Sequence, residues 1–235
     1  MWLAAISLIV ALIAPAPSIT PECSMIHVIG ARGSGQSNGF GDQVEPVVKS
    51  IVAVSTSVGL SATSEALDYP AISISDSLGL ALINGEYDAS VRAGVNELWA
   101  AIGRVSRACP STDIVLVGYS QGAQVIKTAL AGTVPTHRIA TVVLLADPTR
   151  DPAQIGLFRL GDPTTLRTGA FGAIALPDHV RTVTLDVCAA GDGICERGRR
   201  DFLAHTEGYR DAAGWVTSIV ERRLDARARW ALVPR

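Results

Sequence analysis

Gly118-Tyr119-Ser120-Gln121-Gly122 has the form G-x-S-x-G, and it directly follows the apolar run Asp113–Val117 (DIVLV). A helix-forming stretch begins at Gln121 and continues to Ala131. A serine on so sharp a strand-to-helix turn is held in strained backbone geometry with its hydroxyl lifted clear, and its neighbours must be small. The helix that follows aims free N–H groups and its positive dipole end at the same spot. That chemistry is nucleophilic attack on an acyl carbonyl; the plainer reading is a glycine-rich turn.

A serine hydroxyl is a poor nucleophile until a base takes its proton. In this strand-turn-helix context the partners follow the serine in the order acid, then histidine. Of the four histidines, His27 precedes the serine within an early strand. His137 and His179 each lie just before a strand, at the wrong end of a parallel sheet. His205 comes after the last recognisable strand, in an expected loop before a closing helix, and is the candidate base. The candidate acid is Asp192, in Cys188-Ala-Ala-Gly-Asp-Gly-Ile-Cys195. A carboxylate there would set the tautomer of the base and stabilise its imidazolium. Asp147 is the runner-up, although it opens an Asp-Pro turn, a common structural use of aspartate. Asp186 and Asp201 are weaker alternatives.

Acyl transfer also needs donors aimed at the developing oxyanion. The backbone N–H of Gln121 is one candidate. Ser34, in the turn Ala31-Arg32-Gly33-Ser34-Gly35 after the first strand, is the other; a tight polar turn is the alternative reading of that stretch.

These residues need a sheet to carry them. Ser24–Ala31, Ser61–Asp68, Asp113–Val117, Ile139–Ala146 and Val180–Val187 read as strands. Val44–Val58, Asp88–Ala108, Gln121–Ala131 and Gly208–Arg227 have helical spacing, the last with its arginines on the wet face. Short strands that are apolar throughout, alternating with helices, predict a mostly parallel sheet covered on both faces. Functional groups then collect at the carboxyl ends of the strands. The irregular stretch Asp147–Pro177 is expected to drape over the end of the sheet.

The 235 residues are enough for one sizeable core. With 48% hydrophobic and 18% charged residues the chain is neither disordered nor a coiled coil. A net charge of −2 gives no electrostatic case for nucleic acid. The apolar run Trp2–Ala14, followed by Pro15-Ala16-Pro17-Ser18, reads as a secretory signal over residues 1–20, although no Lys or Arg precedes it. Residues 21–230 then form the folded domain. Residues 231–235 form a tail resembling the stub of a cleaved tag. No other segment is long and apolar enough to span a bilayer. Four cysteines behind an export signal suggest two disulfides, with three possible pairings. Cys188 with Cys195 would close a short loop and leave Cys23 with Cys109. The spacing does not suit zinc, and no metal is expected.

Taken together the motifs resemble those of the cutinase family, over Cys23 to about Tyr209. The resemblance rests on Gly118-Tyr-Ser-Gln-Gly-Ala123 as nucleophile signature and Ala31-Arg-Gly-Ser-Gly-Gln36 as oxyanion loop. It rests also on the disulfide-held acid loop Cys188–Cys195, on the spacing from Asp192 to His205, and on Cys23 and Cys109 as a second disulfide. It implies a three-layer α/β/α sandwich of the α/β-hydrolase kind without a large lid. It also implies hydrolysis of carboxylic esters of short to medium acyl chain. With the export signal, a secreted monomer is expected, acting without metal or organic cofactor on an ester or lipid substrate, including at a lipid interface. The rival readings are an acyltransferase or thioesterase with the same triad, and a catalytically idle secreted binding protein on the same scaffold.

Overall fold

A computed structural model of the chain describes residues 23–74, 84–132, 138–154, 158–161, 167–198 and 201–231. The expected signal segment, His137 and the end of the tail lie outside these residues. The strands among the described residues are β1 (Ile26–Ala31), β2 (Ala62–Ala66), β3 (Asp113–Tyr119), β4 (Ile139–Leu145), β5 (Phe158–Gly161) and β6 (Thr184–Cys188). The helices among the described residues are α1 (Val44–Ser57), α2 (Glu86–Ala108), α3 (Gln121–Ala131), α4 (Asp178–Arg181), α5 (Phe202–Glu207) and α6 (Ala212–Ala231). The strands form one sheet in the order β2-β1-β3-β4-β6-β5, and every pair is parallel. This is the expected α/β/α sandwich.

The period of two within each strand sorts its side chains onto two faces. On β3, Val115, Val117 and Tyr119 face a core shared with Val44, Val48 and Ile51 of α1 and Val216, Val220 and Leu224 of α6. Ile114 and Leu116 face the opposite core, with Val91, Val95, Leu98 and Ile102 of α2 and Val125, Ile126 and Leu130 of α3. The α2 residues recur at helical spacing, so one stripe meets the sheet while the polar face stays wet. Glu86 and Asp88 in its first turn and Arg107 in its last complement the helix dipole.

Three expectations are corrected. The strand expected from Val180 starts at Thr184, because Pro177 opens the single helical turn α4 and Val180 packs from that turn into the core. The stretch Asp147–Pro177 contributes β5, an edge strand beside β6, rather than loop alone. Not all arginines of the closing helix face water: half-buried Arg223 turns inward and donates to the Val183 carbonyl at 2.7 Å.

Two disulfides join Cys23 to Cys109 and Cys188 to Cys195. The first ties the chain just before β1 to the end of α2, across a sequence separation of 86 residues. Among the described residues no helix is long and apolar enough to cross a membrane. Removing the long-range link with Cys23→Ser and Cys109→Ser together should lower unfolding free energy by about 2–5 kcal/mol, because the open chain regains loop entropy. Urea titration of the double variant against the natural chain measures it.

Candidate active site

The register places the ends of β1, β3, β4 and β6 along one edge. Ala31 lies opposite Gly118, Tyr119 opposite Leu145, and Leu145 opposite Val187. The chain leaves β3 through Ser120, whose φ of 52° and ψ of −117° are strained for a residue with a side chain. A Cβ at Gly118 would lie 2.7 Å from the Gly122 carbonyl carbon, and one at Gly122 would lie 2.1 Å from the Ala31 carbonyl oxygen. Both flanking glycines are therefore dictated by sterics. The turn leaves Ser120 as the residue preceding the first turn of α3, where helical N–H groups have no partner within the helix.

Ser120 Oγ lies 3.1 Å from His205 Nε2. On the other side of the ring, Nδ1 lies 3.1 and 3.0 Å from the two carboxylate oxygens of Asp192. A carboxylate only accepts, so it selects the tautomer with the proton on Nδ1, and in the neutral ring Nε2 then turns its lone pair to the serine. His205 sits inside α5 rather than in the expected loop, and its helix is capped by Asp201, which accepts from the Leu203 and Ala204 N–H groups. Asp192 is fully buried in the disulfide-closed loop. Its Oδ1 also accepts from the Ile194 N–H at 2.8 Å, and its Oδ2 from the Tyr209 hydroxyl at 2.6 Å.

Two tyrosines that the motif reading passed over frame this group. Tyr119 stacks on the His205 ring, with centroids 5.2 Å apart, and donates to the His205 backbone carbonyl at 2.7 Å. Tyr209 meets Tyr119 edge to face and accepts from the Ala189 N–H at 3.0 Å. Burial, with Asp192 nearby, pushes both phenols above the usual tyrosine range, so they stay protonated donors. The available signal was spacing: Tyr119 lies inside the motif, and Tyr209 comes four residues after His205.

Beside the serine, Arg32 is buried and shapes the turn after β1. It donates to the carbonyls of Gln36, Leu67 and Tyr69, while Tyr69 donates back to the Arg32 carbonyl. The Gly33 N–H is held by Gln36 Oε1 at 2.7 Å. Within this braced turn the Ser34 hydroxyl is buried and makes no hydrogen bond among the described residues. Gln121 is buried at the start of α3, its Oε1 accepting from Ser90 Oγ at 3.2 Å.

The remaining candidates are used elsewhere. Asp147 is buried against Lys127 at 2.7 Å and also accepts from Thr149. Asp186 faces Arg150 at 3.0 Å. His27 lies between Thr63 and Glu65 on β2, and His179 lies in α4. None of these joins Ser120 and His205.

The fold, an open parallel sheet with this elbow at its carboxyl edge, defines an α/β-hydrolase. The family profile for cutinase matches residues 22–221. An acetylxylan esterase from Hypocrea jecorina is 40% identical over 166 residues, 69% of this chain and 49% of its own. A carboxylesterase, Culp1, from Mycobacterium tuberculosis is 32% identical over 209 residues, 86% of this chain and 83% of its own. The solved catalytic core domain of an acetylxylan esterase from Trichoderma reesei is 27% identical with a TM-score of 0.66, covering 87% of this chain and 99% of that one. The chain spans about half the length of the acetylxylan esterases it matches by sequence, 57% and 49%. The chain belongs to the cutinase family.

Two substitutions test the construction of this edge. Gly122→Ala should cost about 3 kcal/mol or more, since β1 and α3 cannot both stay in place around the added methyl. Asp147→Ala should cost about 3–5 kcal/mol by leaving the Lys127 ammonium buried and unpaired. Chemical denaturation measures both.

Proposed function

We propose that this protein is a secreted serine esterase that hydrolyses carboxylic esters of short to medium acyl chain through Ser120, His205 and Asp192. The observation that carries the reading is the unbroken chain of contacts from Ser120 Oγ through both ring nitrogens of His205 to the buried Asp192 carboxylate. His205 Nε2 takes the serine proton as Oγ attacks the ester carbonyl. Asp192 stabilises the imidazolium that forms. The tetrahedral oxyanion is received by the Gln121 N–H and by Ser34, whose buried hydroxyl has no hydrogen-bond partner among the described residues. A single such donor is worth about 3–4 kcal/mol of transition-state stabilisation. His205 returns the proton to the leaving alcohol. Water, activated by the same imidazole, then releases the carboxylic acid and restores the serine.

Secretion is supported by the apolar leader ahead of Cys23 and by two disulfides, bonds that persist in oxidising compartments. The matched relatives named as acetylxylan esterases favour the short end of the acyl range. Ser120→Ala should reduce p-nitrophenyl acetate hydrolysis by several orders of magnitude and abolish labelling by an alkyl phosphonate. Its circular dichroism should stay that of the natural chain. Undiminished turnover in that variant rejects the proposal, and a series from acetate to palmitate esters reads the acyl preference.

A further inference from the structure

We infer that Tyr209 is a positioning residue for the acid, its phenol fixing the orientation and charge with which the Asp192 carboxylate meets His205. This rests on the Ser120-His205-Asp192 reading and deepens it. Tyr209 is 1% exposed and lies in the turn between α5 and α6, so one short segment carries both the base and this phenol. Its hydroxyl donates to Asp192 Oδ2 at 2.6 Å, the oxygen that also lies 3.0 Å from His205 Nδ1. It accepts in turn from the Ala189 N–H at 3.0 Å, directly after β6. The phenol therefore joins the end of β6, the acid and the base-bearing segment through one atom.

The surroundings fix which way the proton points. A carboxylate can only accept, and the Ala189 N–H can only donate, so the phenol must give its proton to Asp192. Cys195 Sγ lies 3.3 Å from the hydroxyl, but it is locked in the disulfide. The Tyr119 ring packs edge to face on the Tyr209 ring, 5.7 Å between centroids. On the outer side Tyr209 borders a cleft of about 300 Å³ whose charged residues are Asp42, Glu207 and Arg210. Glu207 and Arg210 pair with each other there. Burial and Asp192 hold the phenol protonated far above its ordinary range.

Donation into the carboxylate draws charge from it, so Asp192 stabilises the imidazolium of His205 less than it would without the phenol. In exchange the carboxylate is held with both oxygens toward Nδ1. Losing the phenol should cost orientation and strengthen the charge on the acid. A stronger phenol donor should weaken that charge while keeping the geometry.

The test uses the full chain with p-nitrophenyl butyrate across the acid side of the pH profile, in three variants: Tyr209→Phe, 3-fluorotyrosine at position 209, and His205→Ala. For Tyr209→Phe we expect kcat to fall about tenfold with KM little changed, the loss of one charge-assisted hydrogen bond. The acid limb of its kcat/KM profile should move to higher pH. With 3-fluorotyrosine, a stronger donor of almost the same shape, the limb should move to lower pH. The inference is overturned if both tyrosine variants leave the limb and kcat in place, even with a lowered melting temperature, or if both move the limb the same way. Should Tyr209→Phe not fold, the fluorinated chain alone decides by the presence and direction of its shift. His205→Ala separates the two levels. Retained turnover there overturns the triad reading and the role of Tyr209 with it, whereas lost turnover with an unmoved limb in the tyrosine variants overturns Tyr209 alone.

Discussion

The reversal of the chain at Ser120, made with no clearance beneath β1, is the constraint on which the remaining geometry depends. A strand cannot become a helix within one residue without an unfavourable φ, and Ser120 takes it at 52°. The strain persists because the surroundings leave no other course. The Ser120 N–H is held by the Leu145 carbonyl at 2.9 Å, and the Gly122 backbone passes hard against the end of β1. That contact needs β1 beside β3 with both strands pointing the same way, which the parallel order supplies. The same order puts the turn holding Ser34 next to the elbow, and β6 with the loop holding Asp192 two strands further on. Position along the edge therefore follows from one local reversal and the sheet order.

Much of this was legible in the sequence because it is written in short-range patterns. The β-branched runs at β1, β3 and β4 read as buried parallel strands, and both flanking glycines read as steric necessities. The choice of His205 over His137 and His179 came from the end of a parallel sheet at which each falls. Other parts were not legible. Strand β5 has four residues and α5 has six, too few for either period to rise above composition. The Thr184 start of β6 was obscured because Val180 is buried, as a strand residue would be, although it packs from a helical turn. Arg223 resembled its exposed neighbours on α6, and only the fold supplies the Val183 carbonyl it meets. Tyr119 and Tyr209 escaped notice for a different reason: a tyrosine is ordinarily core, and its hydroxyl gains meaning only when the group opposite is known.

The two aspartates considered for the acid differ in what the fold sets against each buried charge. Asp147 and Asp192 are both fully buried and both follow strands at the same edge of the sheet. Asp147 is neutralised by the Lys127 ammonium at 2.7 Å, with Thr149 filling its other oxygen. Such a pair needs its partner at all times, because either charge alone would be buried without compensation. Asp192 is supplied instead by a phenol and one backbone N–H, and by His205. Dipoles can keep a carboxylate in place without cancelling its charge. Among the described residues the Asp192 carboxylate thus keeps its charge facing the His205 imidazole. A lysine paired with Asp192, as Lys127 is with Asp147, would cancel that charge instead.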